Sequence, residues 1–360
     1  MSKTVIALGP EQEAAPPVLK ICLPLPHRLN CFLRLWAIKI LVSILYTADR
    51  LIHPPPPSIL PTIVRRYPCR PDLQTRIFYP PNYDPASKLL LPLYFSIHGG
   101  GYALGDPQQD DEWCTMWAKR TGMLVISLDY SKAPIHPFPT PVYDVAALAT
   151  AVLSDQSLPI DKTKVAMGGF SAGANLSLCA SQLPPLKGTI KAALTFYPIV
   201  NWDHPPDEKL RRRPYQTGPR DSLADSSYWF DWGYLSAGTD RRHPLLSPYH
   251  AKREDLPPWI YMIAAEWDML RLEGQIMMHE LAGVNLELKG AEHPLDFEHG
   301  RYKWTMAKGC THGFTHHFGR GQAAKVRREE KCLPFYDEAV VWLGKALGSD
   351  KEIDRSGKEI

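Results

Sequence analysis

The sequence predicts an α/β fold built on a mostly parallel central sheet with helices on both faces. Short, nearly all-apolar segments recur along the chain, helix-forming stretches fill most of the gaps between them, and the alternation runs from about residue 75 to residue 347. Strands of a parallel sheet are buried on both faces, so they are apolar throughout. The predicted strands are Thr75–Tyr79, Leu90–Ile97, Leu124–Asp129, Lys164–Met167, Ala192–Tyr197, Trp259–Ala264 and Tyr302–Met306. The predicted helices are Asp111–Thr121, Tyr143–Ser154, Ala172–Gln182, Leu272–Ala282 and Tyr336–Leu347.

Three regions lie outside this alternation: an N-terminal region, an insertion and a C-terminal tail. Four consecutive prolines at 54–57 exclude a helix or a central strand and predict a stiff connector. Residues 201–258 are polar, proline-rich and aromatic, which predicts an insertion outside the sheet. The predicted organisation is an N-terminal region at 1–57, a core at 58–200 and 259–348, the insertion at 201–258 and a disordered tail at 349–360.

The N-terminal region contains one long apolar stretch, Cys31–Ile52. Its apolar residues recur at helical spacing, which predicts an amphipathic helix. Arg34 and Lys39 interrupt the stretch, leaving fewer than the roughly 20 consecutive apolar residues that a membrane span needs. Two placements remain open: the helix packs on its own protein, or it contacts a membrane surface.

Composition narrows the class of protein. The chain has 360 residues, 44% hydrophobic content and a net charge of +3, which predict a globular protein without a nucleic-acid partner. Its seven cysteines are scattered without CxxC pairs, which indicates reduced thiols in the cytoplasm rather than a zinc site or a disulfide scaffold. The first apolar stretch also begins too far from Met1 for a signal peptide.

The segment Gly169-Phe170-Ser171-Ala172-Gly173 is typical of a nucleophile elbow, because it lies between an apolar strand and a helix-forming run. In such a turn the glycines make room for strained backbone, and the serine hydroxyl stands clear of the sheet at a helix N-terminus. The pattern also fits an ordinary glycine turn. Its interpretation therefore depends on whether the partners of a nucleophilic serine occur elsewhere in the chain.

An activated serine needs backbone donors for the oxyanion that forms when it attacks a carbonyl. The run His98-Gly99-Gly100-Gly101 follows the predicted strand that ends at Ile97. Glycines leave the backbone N–H groups unobstructed, so the predicted donors are those of Gly99, Gly100 and Ala172, with Gly101 as a further candidate. We expect His98 itself to have a structural role.

The serine also needs a base and a group that orients the base. Asp268 follows the strand Trp259–Ala264, and His312 lies between the last predicted strand and the C-terminal helix. The chain order Ser171, Asp268, His312 is that of α/β-hydrolases rather than of the trypsin or subtilisin arrangements. The rival acid is Glu266, and the rival histidines are His316 and His317, which lack the flanking glycine.

These motifs together resemble the hormone-sensitive-lipase-like branch of the α/β-hydrolases, the fold-3 esterases. The similar segments are His98–Asp106, Asp129–Pro139, Gly169–Gly173, Leu246–Pro248, Leu256–Pro258, Glu266–Gly274 and His312–Phe314, in the family's order. The resemblance implies ester hydrolysis through an acyl-serine without metal or cofactor. It also implies a helical cap formed by the N-terminal helices and the insertion. The chain further resembles fungal esterases of secondary metabolism.

Two other functions stay open at this point. Acyl transfer, lactonisation or condensation in natural-product biosynthesis uses the same serine machinery but excludes water. A non-catalytic receptor is the second alternative, since the gibberellin receptors resemble this branch but lack the histidine, which is present here as His312. The aromatic insertion and the apolar N-terminal helix favour an ester of a bulky, apolar small molecule as the substrate.

Overall fold

A nine-stranded sheet forms the centre of the computed structural model, which describes residues 23–81, 83–213, 218–221, 223–284, 296–316 and 322–348. The strands are β1 Ile63–Tyr67, β2 Arg70–Phe78, β3 Leu91–Ile97, β4 Leu124–Leu128, β5 Ile160–Phe170, β6 Ile190–Phe196, β7 Trp259–Trp267, β8 Phe297–His299 and β9 Tyr302–Thr311. Their order across the sheet is β1-β2-β4-β3-β5-β6-β7-β9-β8. Strands β4, β3, β5, β6, β7 and β9 are parallel, whereas β1, β2 and β8 pair antiparallel at the two edges.

Helices cover both faces of this sheet. The helices are α1 Leu25–Ile52, α2 Asp111–Thr121, α3 Thr140–Ser154, α4 Ala172–Ala180, α5 Pro206–Arg212, α6 Ser227–Tyr234, α7 Arg271–Ala282 and α8 Gln322–Ala346. Alternate residues of β7 show the division: Tyr261 packs in a cluster with α2 and α8, whereas Met262 packs in one with α4 and α7. Successive residues of β7 therefore contact apolar side chains on opposite faces of the sheet, which explains the continuous apolar runs in the sequence. The predicted fold class is confirmed.

The predicted strands and helices all occur. The structure adds two strands that are not predicted, β1 and β8, and each omission has a physical cause. Strand β1 was missed because its exposed and half-buried residues alternate at a sheet edge, where an all-apolar run is not required. Strand β8 was missed because it has only three residues. In their described part, residues 201–258 add no strand to the sheet and contain α5 and α6. The predicted disordered tail, 349–360, lies outside the described residues.

One face of helix α1 packs against the rest of the protein, and the opposite face is exposed. On the inner face Leu35 is fully buried, and the Lys39 ammonium donates to the carbonyl oxygens of Ala103 at 2.8 Å and Ala133 at 2.7 Å. The outer face carries large apolar side chains that are 47–60% exposed: Leu29, Leu33, Ile40, Leu41, Ile44 and Leu45. Lys39 interrupts the apolar run in the sequence, but its side chain lies on the inner face and leaves the outer face apolar. By length and composition alone, α1 could cross a membrane.

Candidate active site

The turn between β5 and α4 holds Ser171 in a strained conformation. Its φ is +51° and its ψ is −116°, a region that side-chain-bearing residues rarely adopt. A Cβ atom at Gly169 or at Gly173 would collide with the carbonyl oxygen of Ile97 on the neighbouring strand. Both glycines are therefore required by close approach of backbone, and this packing keeps the serine at the N-terminus of α4.

The structure brings Ser171, His312 and Asp268 into one hydrogen-bonded chain. His312 Nε2 lies 2.8 Å from Ser171 Oγ, and His312 Nδ1 lies 2.7 Å from Asp268 Oδ2. Each residue follows the carboxyl end of a parallel strand: β5, β7 or β9. Asp268 is fully buried, and its Oδ1 accepts a hydrogen bond from the Leu270 backbone N–H at 2.9 Å. The imidazole is thus oriented by a carboxylate that is itself fixed.

Opposing influences set the pKa of His312. Burial lowers it, because the imidazolium loses its water. The charge and hydrogen bond of Asp268 raise it, and the charge of Asp221 raises it further. The favourable carboxylates outweigh burial, so the pKa of His312 lies above its ordinary value of 6.5.

Asp221 is a second buried carboxylate beside this site, and it is not among the residues predicted from the sequence. Its Oδ2 accepts from the Met269 backbone N–H at 2.5 Å, directly after Asp268, and its Oδ1 accepts from Leu223 N–H at 2.8 Å. Burial and the nearby Asp268 charge raise its pKa. Asp221 belongs to the insertion, so it joins that region to the turn that carries Asp268. No motif surrounds it, and only the folded chain reveals its position.

The glycine run after β3 lies beside the nucleophile. A Cβ atom at Gly99 would lie 3.6 Å from Ser171 Cβ, so the Gly99 backbone passes next to the serine. Gly100 has a φ of +113°, which only glycine adopts readily. A Cβ atom at Gly101 would lie 2.6 Å from the Phe230 ring of α6. The run is therefore enclosed between the nucleophile and the insertion, and Ala172 follows Ser171 at the first position of α4.

The rival residues from the sequence have other partners. Glu266 Oε2 accepts from the Gly309 backbone N–H at 2.6 Å. His316 Nε2 lies 2.9 Å from Asp110 Oδ1, and His317 lies outside the described residues. His98 donates from Nδ1 to the Gly99 carbonyl oxygen at 2.7 Å and stacks on the ring of Tyr130.

A small cavity of about 50 Å³ opens over Ser171. Its walls are mostly apolar and include Trp202, Phe230 and Met269. Two charged side chains also line it, Lys209 from α5 and Asp231 from α6. The insertion therefore forms a roof over the nucleophile.

Comparison with known proteins gives consistent results. Residues 94–296 match the sequence model of a family described as having the alpha/beta hydrolase fold. Esterase LipI of Mycobacterium tuberculosis is 30% identical over 227 residues, which cover 61% of this chain and 68% of that protein. The chain spans about two thirds of the length of the curated relatives it matches.

Solved esterase structures share the architecture. The hyperthermophilic esterase of the archaeon Pyrobaculum calidifontis has a TM-score of 0.64 at 25% identity, covering 88% of this chain and 99% of that one. Carboxyl esterase 2 of the mycorrhizal fungus Tuber melanosporum has a TM-score of 0.62 at 22% identity, covering 79% and 87%. The resemblance to fungal esterases is therefore confirmed at the level of the fold.

Proposed function

Because the chain belongs to the hormone-sensitive-lipase-like branch of the α/β-hydrolase family and is a carboxylesterase-type serine hydrolase, we propose that Ser171 is its nucleophile, His312 its base and Asp268 the acid that orients the base. The observation that carries this assignment is the continuous hydrogen-bonded chain from Ser171 Oγ through both nitrogens of His312 to Asp268.

Acylation of the serine is the first half of the proposed reaction. His312 Nε2 takes the Ser171 proton while Oγ attacks the ester carbonyl carbon, and Asp268 stabilises the imidazolium that forms. The N–H groups of Gly99, Gly100 and Ala172 hold the resulting oxyanion; loss of one such donor typically costs about 3 kcal/mol of transition-state stabilisation. His312 then protonates the leaving alcohol. Water, activated by the same imidazole, attacks the acyl-serine and releases the free acid.

The mostly apolar walls of the cavity support an apolar substrate, but the cavity is small. Its volume of about 50 Å³ is far below the roughly 300–1,000 Å³ of typical ligand pockets. A bulky ester, as the aromatic insertion suggests, therefore requires outward movement of α5 and α6, the two helices that roof Ser171.

The pH dependence of hydrolysis tests the role of His312. Only the neutral imidazole accepts the serine proton, so kcat/KM for p-nitrophenyl butyrate is expected to fall as the pH drops through an apparent pKa above 6.5. Asp221→Asn removes a negative charge that favours the imidazolium, so this apparent pKa is expected to move to a lower value. Initial rates between about pH 5 and 9 measure both effects.

Free acid as the product, in the presence of an added alcohol, distinguishes hydrolysis from acyl transfer.

The control for the pH experiment is Asp225→Asn. Asp225 is an exposed carboxylate of the same insertion, with 63% side-chain exposure, so the substitution makes the same charge change away from His312. A kcat/KM that does not fall at low pH would contradict His312 as the base, and equal apparent pKa values in the two variants would contradict the influence of Asp221 on His312.

We also propose that the outer face of α1 rests on an anionic membrane surface while the rest of the protein stays in the cytoplasm. The apolar side chains of this face have no cover in the described part of the chain, and the same helix carries two exposed cations, Arg28 and Arg34. The inner face contacts the protein from Phe32, which meets Trp232 edge-on, to Arg50, which bonds to Gln108. A helix attached along this length favours lying in the interface over crossing the bilayer.

Sedimentation with vesicles of phosphatidylcholine and phosphatidylserine tests this proposal. The protein is expected to sediment with the vesicles, and the double substitution Ile40→Glu and Ile44→Glu is expected to weaken binding by about 10-fold or more, since two exposed isoleucines that would insert into the membrane surface are lost. Leu89→Glu with Leu90→Glu is the matched control, because both residues are similarly exposed in a loop outside α1. Protein that stays in the supernatant, or equal loss in both double variants, would overturn the proposal.

A further inference from the structure

The carboxylate of Asp231 is the least satisfied charged group in the cavity over Ser171. It lies on α6 in walls that are otherwise mostly apolar. Within the described residues its carboxylate makes no hydrogen bond, and the closest cation is Arg241 Nη1 at 4.0 Å. Its side chain is only 17% exposed. An ionised carboxylate that has lost water without gaining donors is costly, so a protein rarely keeps one in an apolar cavity without a use for it.

Lys209, the other charged residue of the cavity, does not supply the missing donor. Its ammonium donates to Glu273 Oε2 at 2.7 Å and to the Asn201 carbonyl oxygen at 2.5 Å. Glu273 in turn accepts from the Asn201 backbone N–H at 3.2 Å. This buried pair is thus satisfied by itself and fastens α5 to α7. Asp231 remains free to accept a hydrogen bond from a molecule in the cavity.

The charges around Asp231 favour a neutral donor. Two carboxylates, Asp231 and Glu273, are balanced by two cations, Arg241 and Lys209. A cationic substrate group would therefore find no net attraction, whereas a hydroxyl group would gain a charge-assisted hydrogen bond. Burial raises the pKa of Asp231 to about 6 despite both cations, and a hydrogen-bond donor in the cavity would favour its ionised, accepting form.

We propose that Asp231 is a specificity-determining residue that accepts a hydrogen bond from a hydroxyl group of the substrate, so that preferred substrates are apolar esters bearing a hydroxyl group. This inference rests on the proposed esterase function of the same site. A site that pairs a buried acceptor with a substrate hydroxyl discriminates strongly against the analogue without it, because the acceptor is then left unpaired.

Matched ester series test the proposal. One series compares ω-hydroxyacyl p-nitrophenyl esters with the unsubstituted acyl esters; the other compares monobutyrates of diols with butyrates of alkanols. In at least one series we expect the unmodified enzyme to prefer the hydroxylated member by about 10-fold or more in kcat/KM. Asp231→Leu is expected to abolish this preference, and Asp231→Asn, which keeps an acceptor oxygen, to retain part of it.

Asp225→Asn is again the matched control and is expected to leave the preference unchanged, since Asp225 is exposed and ion-paired with Arg220. Equal kcat/KM for both members of both series would overturn the inference, as would an Asp231→Leu variant that lowers both members equally. If that variant does not fold, unchanged selectivity in Asp231→Asn overturns it instead. Failure of the esterase function itself has a separate signature, absence of hydrolysis of every ester by the unmodified enzyme.

Discussion

Alanine in place of Ser171 is expected to lower kcat for p-nitrophenyl butyrate by about 10⁵- to 10⁶-fold and to abolish covalent capture by an organophosphate. The hydroxyl is the group that would form the acyl-enzyme, and His312 Nε2, 2.8 Å away, would have no proton to accept. The residual rate over water would come from the oxyanion donors and from binding alone. Initial rates at saturating substrate measure the effect.

Ser177→Ala is the matched control for this variant. Ser177 lies on the same helix α4, is buried, and donates to the Ala174 carbonyl oxygen at 2.7 Å, away from His312. We expect its kcat to stay close to that of the unmodified enzyme. If Ser171→Ala kept a comparable kcat, another residue would have to be the nucleophile.

The second largest effect is expected for Asp268→Asn, a loss of about 10⁴-fold in kcat. Asp268 Oδ2 accepts the Nδ1 proton of His312 at 2.7 Å, which leaves Nε2 unprotonated and facing Ser171. An amide NH₂ in this place would favour the opposite tautomer and would remove the charge that stabilises the imidazolium. Because Asp268 does not line the cavity, KM is expected to change little.

Glu266→Gln tests the rival acid in the same assay. Glu266 binds the Gly309 backbone N–H rather than an imidazole, and its amide oxygen can keep that bond, so kcat is expected to fall by less than about 10-fold. A large loss in Glu266→Gln combined with a small one in Asp268→Asn would reverse the assignment.

The fold could be predicted from the sequence because strands that are buried on both faces consist mainly of apolar residues. Strands β3 and β7 are apolar except for Ser96 and Glu266, and their residues pack in apolar clusters with helices on both faces of the sheet. The candidate triad was predictable for a related reason: its three residues each follow a strand of one parallel sheet, and the ends of such strands converge. Glycine requirements at 169 and 173 added a local signal, which the close approach of the Ile97 carbonyl explains.

The rest of the site could not be predicted because its residues are brought in by the insertion. Asp221 lies in an irregular part of the insertion and Asp231 on the short helix α6, and neither periodicity nor motif marks which of these side chains turn inward. Their environments depend on contacts with Met269 and Arg241, which are distant in sequence or lie beyond a loop. Lys39 is a comparable case. The sequence shows a charged residue in an apolar helix, but not that its ammonium donates to the backbone carbonyl oxygens of Ala103 and Ala133.

Ser171 can be tested most directly as the nucleophile by locating the residue that an organophosphate modifies. The unmodified enzyme is treated with diethyl p-nitrophenyl phosphate, digested, and mapped by tandem mass spectrometry. We predict one diethylphosphoryl group per chain, on Ser171, formed in step with the loss of esterase activity. An adduct on any other residue, or full inactivation with Ser171 unmodified, would contradict the assignment of Ser171 as the nucleophile.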